Sequence, residues 1–215
     1  MELTFETLRQ ANVARLPTFK NSKGEPAHSE PDGSDWSPAQ WFQATLGELG
    51  EYANVRKKFD RGDLSHEEFM KQAGGELADT LTYLDILAFR CGQTIGDGKI
   101  GGRGTAGLNI EISPATRACR ITIALGLVAK QIDRSGAVGR TAPFQNAQGQ
   151  ISDLACQLGI DLGAATRHKF NEVSDRVGSP VWISYDGRVG FRRGCGVDPE
   201  RCMGNGFGPC PLCYE

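Results

Sequence analysis

The sequence predicts a mostly α fold with a small Cys-rich C-terminal appendage that carries a short β-hairpin. Three observations predict it. Apolar residues recur at helical period through most of residues 37–178. Two serine-led capping boxes punctuate that stretch. After Pro180 the character changes: a short β-type run around Asp186-Gly187 gives way to a tail dense in Cys, Gly and Pro.

A first helix is expected over about Thr4 to Ala14, followed by a polar loop rich in Gly, Pro and Ser as far as residue 35. Ser37, Pro38 and Gln40 then supply an N-cap, a proline at the first helical position and a capping-box partner. Trp41, Thr45, Glu48 and Tyr52 fall close to one face of the helix that follows, and Gly62 ends it. Ser65 and Glu68 form the second box, and Phe69, Ala73, Leu77, Thr80, Leu84 and Leu87 continue at helical spacing. Residues 37–92 therefore read as a helical hairpin. A glycine-rich break covers 96–113. Further helices start at Ser113-Pro114, with Ile121, Leu125, Val128 and Ile132, and at Asp161, with Thr166, Phe170, Val173 and Val177. A shorter helix lies between them, from about Gln148 to Leu158. Trp182 to Phe191 reads as the β-hairpin.

With 215 residues and 39% hydrophobic composition, the chain can bury one sizeable core, or one core with a small appendage. A net charge of -2 forces no basic face on it, so duplex nucleic acid is not an expected partner. The longest apolar run is far below the ~18 residues that a membrane span requires. Met1 to Arg9 lacks the basic-then-apolar pattern of a signal peptide. These features suggest a cytoplasmic protein whose seven cysteines are thiols or metal ligands rather than disulfides.

Two carboxylate pairs carry the chemistry: Glu48-Leu-Gly-Glu51 and Glu76-Leu-Ala-Asp79. Spacing of i,i+3 sends both members of each pair from one helical face. The pairs are symmetric about a point between Asp63 and Leu64, inside the expected turn. An antiparallel hairpin folded there sets Glu48 level with Asp79 and Glu51 level with Glu76. Four carboxylates that close repel strongly in a medium less polar than water. A hard divalent cation relieves that repulsion, and magnesium keeps positions open for water and substrate phosphates. Such a site bridges a triphosphate and lowers the pKa of water. The alternative for either pair alone is a solvated helix face.

Trp41 with Gly47-Glu48-Leu49-Gly50-Glu51, then Asn54, Lys57, Lys58 and Arg61-Gly62-Asp63, then Glu76-Leu77-Ala78-Asp79 and Tyr83-Leu84-Asp85, resembles the MazG-like all-α nucleotide pyrophosphohydrolases, especially phage forms. Gly159-Ile160-Asp161-Leu162, followed by Lys169-Phe170-Asn171-Glu172-Val173-Ser174, looks like that family's closing helix. The resemblance covers about 37–92 and 157–178, under half of the chain. It implies a four-helix-bundle-like core, with two or more magnesium ions held by Glu48, Glu51, Glu76 and Asp79. The implied reaction cuts a (d)NTP between the α and β phosphates, giving (d)NMP and pyrophosphate, in a homodimer or homotetramer. Phage relatives suggest dGTP or GTP. The resemblance also points to Lys169 and Asn171 as contacts to phosphate or metal ligands, although residues two apart on a helix diverge by about 200°. Trp41 either stacks on a nucleobase or is a core aromatic. Asn54, Lys57 and Lys58 either contact substrate or cover a solvated helix end.

Against the compact family pattern, residues of about 93–150 read as an inserted helical segment within a domain spanning 1–178, with 179–215 as the appendage. In that appendage Cys195, Cys202, Cys210 and Cys213 either hold a structural zinc or remain free thiols. A non-catalytic adaptor, whose zinc tail contacts a partner or nucleic acid, is the competing function. Cys91, Cys119 and Cys156 are expected as small core residues, and His28, His66 and His168 as surface residues. Two GxGxxG matches, at Gly96–Gly101 and Gly102–Gly107, lack the preceding strand that dinucleotide binding needs. A di-iron bundle would need Glu-x-x-His on two helices, and only Glu25-x-x-His28 fits, in a loop.

Overall fold

The computed structural model describes residues 2–101, 112–135 and 141–191. It is mostly helical: α1 (Phe5–Arg15), α2 (Pro38–Asp60), α3 (His66–Arg90), α4 (Pro114–Ser135), α5 (Ala142–Leu158) and α6 (Leu162–Arg176), then strands β1 (Val181–Ile183) and β2 (Val189–Phe191). Both capping boxes form as the sequence predicts. Ser37 accepts from the Gln40 amide while the Gln40 side chain accepts from the Ser37 amide, and Ser65 and Glu68 repeat the arrangement at α3. Thr4 caps α1 and Asp161 caps α6.

α2 and α3 fold back on each other as the predicted hairpin. Gly62 takes the left-handed conformation, φ 81°, in the turn between them. Phe59 and Phe69 stack across its base with ring centroids 4.3 Å apart. α3 also meets α1, α5 and α6, and its Leu77, Leu81, Leu84 and Leu87 are completely buried. The α1–α3 contact is fixed by Arg9, whose guanidinium lies 2.8 Å from buried Asp85, and by Asn12, which donates to the same carboxylate at 2.9 Å. Asp85 is therefore a tether for α1.

α4 and α5 form a second antiparallel hairpin, held inside by Arg117 and Asp153 at 3.1 Å. α5 starts at Ala142, earlier than the expected Gln148, because Pro143 occupies the first turn, where a missing N–H goes unneeded. The segment read as an insertion is part of the main core rather than a separate lobe: Ile121, Leu125, Val128, Phe144 and Ile151 belong to the same buried cluster as Trp41 and Leu77.

β1 and β2 pair antiparallel, Val181 opposite Phe191, as the sequence predicts. The hairpin packs on α6 and α1. Two cysteine expectations are corrected, at Cys119 and Cys156, while Cys91 packs against the core. Cys119 and Cys156 are exposed, and Cys91 is half-buried just past the end of α3, where burial pushes its thiol up to about 11. Gly96–Gly101 forms turns with one isolated bridge, Thr4 to Lys99. The second GxGxxG and all four tail cysteines lie outside the described residues. No helix among the described residues is long and apolar enough to cross a membrane.

Candidate metal centre

Glu48 from α2 and Glu76 and Asp79 from α3 converge across the first hairpin. One carboxylate oxygen from each lies within 4.8 Å of the other two. The convergence follows from the i,i+3 spacing on α3 and from the hairpin turn that brings α2 alongside. All three carboxylates are partly buried. Glu51 stands outside this group and is exposed, though it is close enough to raise the proton affinity of both Glu48 and Glu76.

The electrostatics are those of an under-neutralised acidic site. Burial, followed by the charges of Asp79, Glu51 and Glu76, pushes Glu48 up to about 7. Burial and Glu51 raise Glu76. Asp79 is also raised by burial, even though Lys169 of α6 opposes the shift from 3.3 Å away. At Lys169 burial works against the charge, but Asp79 and Glu172 outweigh it and hold the ammonium above its ordinary value. Lys169 is the one cation ion-paired with these carboxylates among the described residues; Arg15 and Arg176 act on Asp79 without bonding to it, and Glu51 adds a fourth negative group nearby. The donors are all hard carboxylate oxygens, with neither imidazole nor thiolate among them, so the set fits magnesium better than zinc.

The Lys169 side chain passes over Gly75, where an added Cβ would stand in ordinary contact, 3.9 Å, with its Cδ and Nζ. Arg15, buried, holds α6 in place. It donates to the Phe170 carbonyl at 2.8 Å and to the Ser174 hydroxyl at 3.4 Å, and its guanidinium stacks on the Phe170 ring at 3.6 Å. Burial lowers the Arg15 pKa to about 10, with Tyr83 and Asp79 opposing.

The remaining sequence-predicted residues do not join the carboxylates. Asn171 turns away: its amide donates to the Ile183 carbonyl at 2.9 Å and accepts from the Ile183 N–H at 2.8 Å. It docks the β-hairpin, as expected for a residue about 200° from Lys169 on the helix. Trp41 is fully buried and donates from its indole to the Gly33 carbonyl at 3.0 Å, so it is a core aromatic and offers no face to a base. Asn54 and Lys57 are exposed and Lys58 is half-buried, further along α2, and no hydrogen bond or ion pair joins them to the carboxylates.

Sequence reasoning missed an aromatic group beside the site. The His28 ring packs against Phe19 at 4.8 Å, Trp36 at 4.6 Å and Trp41 at 5.8 Å, and Trp41 in turn lies 6.2 Å from Tyr83. Tyr83 borders the carboxylates: burial first, then Glu48 and Asp79, raises its phenol. His28 is half-buried rather than on the surface. Among the described residues it alone, apart from glycine, has positive φ, 42°. No signal of period or spacing in the polar loop points to this group. No protein-family model, curated protein or solved structure matches the chain.

Proposed function

We propose that the protein is a magnesium-dependent nucleotide pyrophosphohydrolase that cleaves (d)NTP to (d)NMP and pyrophosphate. The observation that carries this is the convergence of Glu48, Glu76 and Asp79 within 4.8 Å, with Lys169 as their only ion-paired cation among the described residues. Those three carboxylates would hold the metal. Magnesium supplies positive charge for a polyphosphate and lowers the pKa of water.

The chain's own groups take the remaining roles. Lys169 neutralises Asp79 and offers its ammonium to phosphate. Glu51, exposed beside the three carboxylates and outside their group, orients the attacking water. Trp36 and His28, at the partly exposed end of the aromatic group, give a nucleobase a surface to stack on in place of buried Trp41. The lean to dGTP or GTP belongs to this proposal, as does assembly into a dimer or tetramer. Ile123 and Leu127 on α4, 66% and 45% exposed, and Leu46 on α2, 41% exposed, offer apolar surface for such assembly.

The test is turnover of the eight common NTPs and dNTPs with and without magnesium, with products separated by chromatography and Glu48→Ala run in parallel. Monophosphate plus pyrophosphate, lost without metal and reduced at least 100-fold in the variant, is the expected result. Diphosphate plus phosphate would place the cut elsewhere and end the proposal.

A further inference from the structure

Arg176 closes α6, seven residues after Lys169. At that spacing the two side chains leave one helical face, about 20° apart and about 10 Å along the axis. It is the face that Lys169 fixes against α3 through Asp79. Arg176 lies close enough to Asp79, Tyr83 and Arg15 to act on each electrostatically. Yet it is exposed, and it makes no hydrogen bond, ion pair or ring contact among the described residues.

Its neighbours are differently placed. Arg15 is buried and bonded to Phe170 and Ser174. Arg167 lies over the Tyr185 ring at 4.8 Å. An arginine in the last turn of a helix also complements the helix dipole, and that alone would account for one pointing anywhere into solvent. Arg176 instead lies within electrostatic reach of Asp79 and Tyr83, on the helix face that Lys169 turns to the acidic centre, and bonds to no carboxylate there. A guanidinium held there, unpaired, suits a dianionic group that arrives with the metal. The platform is rigid, because Arg15 grips α6 at Phe170 and Ser174, between the two cations.

Building on the pyrophosphohydrolase reading, we propose that Arg176 binds the distal phosphates of the substrate, its planar fork taking β- and γ-phosphate oxygens while Lys169 acts as a point charge at Asp79. Arg176 then also holds pyrophosphate after the cut.

The experiment compares wild type, Arg176→Ala and Arg176→Lys on the best of the eight nucleotides. It also measures calorimetric binding of magnesium pyrophosphate and of the matching monophosphate. The expected result for Arg176→Ala is a KM raised at least tenfold with kcat within threefold, pyrophosphate affinity down at least tenfold and monophosphate affinity unchanged. Arg176→Lys falls between. If wild type turns over and either KM or pyrophosphate affinity in Arg176→Ala stays within twofold, the phosphate role is overturned and the hydrolase reading stands. Wild type that binds pyrophosphate through Arg176 without turnover overturns the hydrolase reading alone. Wild type that neither turns over nor binds pyrophosphate removes both.

Discussion

Asn171 and Lys169 show how two positions on one helix reach different neighbours. Lys169 meets Asp79, whereas Asn171 pairs with both backbone groups of Ile183. Replacing Asn171 by alanine strips that N–H and C=O of their partner, at a cost of about 1–3 kcal/mol. Urea unfolding should show this loss, hydrogen exchange at the Ile183 amide should quicken, and KM should stay within twofold. A raised KM at unchanged stability would return Asn171 to the substrate site. The three converging carboxylates were legible in the sequence because helical spacing and the symmetry of the hairpin turn are local facts. The destination of Asn171 was not, since it depends on where a strand twelve residues later docks. Nor could the partnership of His28 and Trp36 be read, because the loop that carries them has no period, and ring contacts there are set by the whole fold.

At the scale of elements, two glycines that touch α6 give opposite predictions. Gly74 sits inside α3, where an added methyl would meet Ile160 Cγ2 at 3.6 Å and Ala165 Cβ at 3.7 Å, ordinary contact distances. Gly74→Ala should therefore raise stability by about 0.5–1 kcal/mol, through the lower backbone entropy of its unfolded chain. Gly163, in the first turn of α6, has the Ile100 carbonyl oxygen only 2.9 Å from where a Cβ would stand. That neighbour is backbone and cannot rotate aside, so Gly163→Ala should destabilise by about 1–3 kcal/mol. Thermal melts of the two variants decide both; equal shifts would mean that α6 sits differently against α3 and the Ile100 segment. Helix ends were the most readable elements, because capping boxes act through neighbours three residues away. The early start of α5 was marked by Pro143, whereas apolar period alone placed it near Gln148. The packing of the α4–α5 pair into the main core was not readable, since any amphipathic pair can cover any apolar face.

The whole molecule couples its acidic centre to its stability. Glu48 keeps its proton up to about pH 7 in the metal-free fold, and Glu76 and Asp79 are shifted the same way, each chiefly by burial. In the unfolded chain such groups titrate near pH 4. The folded state therefore binds more protons than the unfolded one between those values, and stability falls as pH rises through that window. Buried Asp85 and Asp153 are raised too, so the slope alone does not identify the centre. On the proposed reading magnesium does, because it would compete with those protons where Glu48, Glu76 and Asp79 meet. At pH 5 the metal should shift Tm little. At pH 8, at a concentration about fifty times its Kd, it should add about 2 kcal/mol, or roughly 4–8 °C for a chain of this size. Glu48→Gln removes one carboxylate from the group, so it should melt higher than wild type at pH 8 without metal and gain less from magnesium. Scanning calorimetry of both proteins at the two pH values, with and without magnesium, makes the comparison. A magnesium shift that is the same at pH 5 and pH 8, or that survives in Glu48→Gln, would mean that the cation stabilises the fold from somewhere other than these three carboxylates.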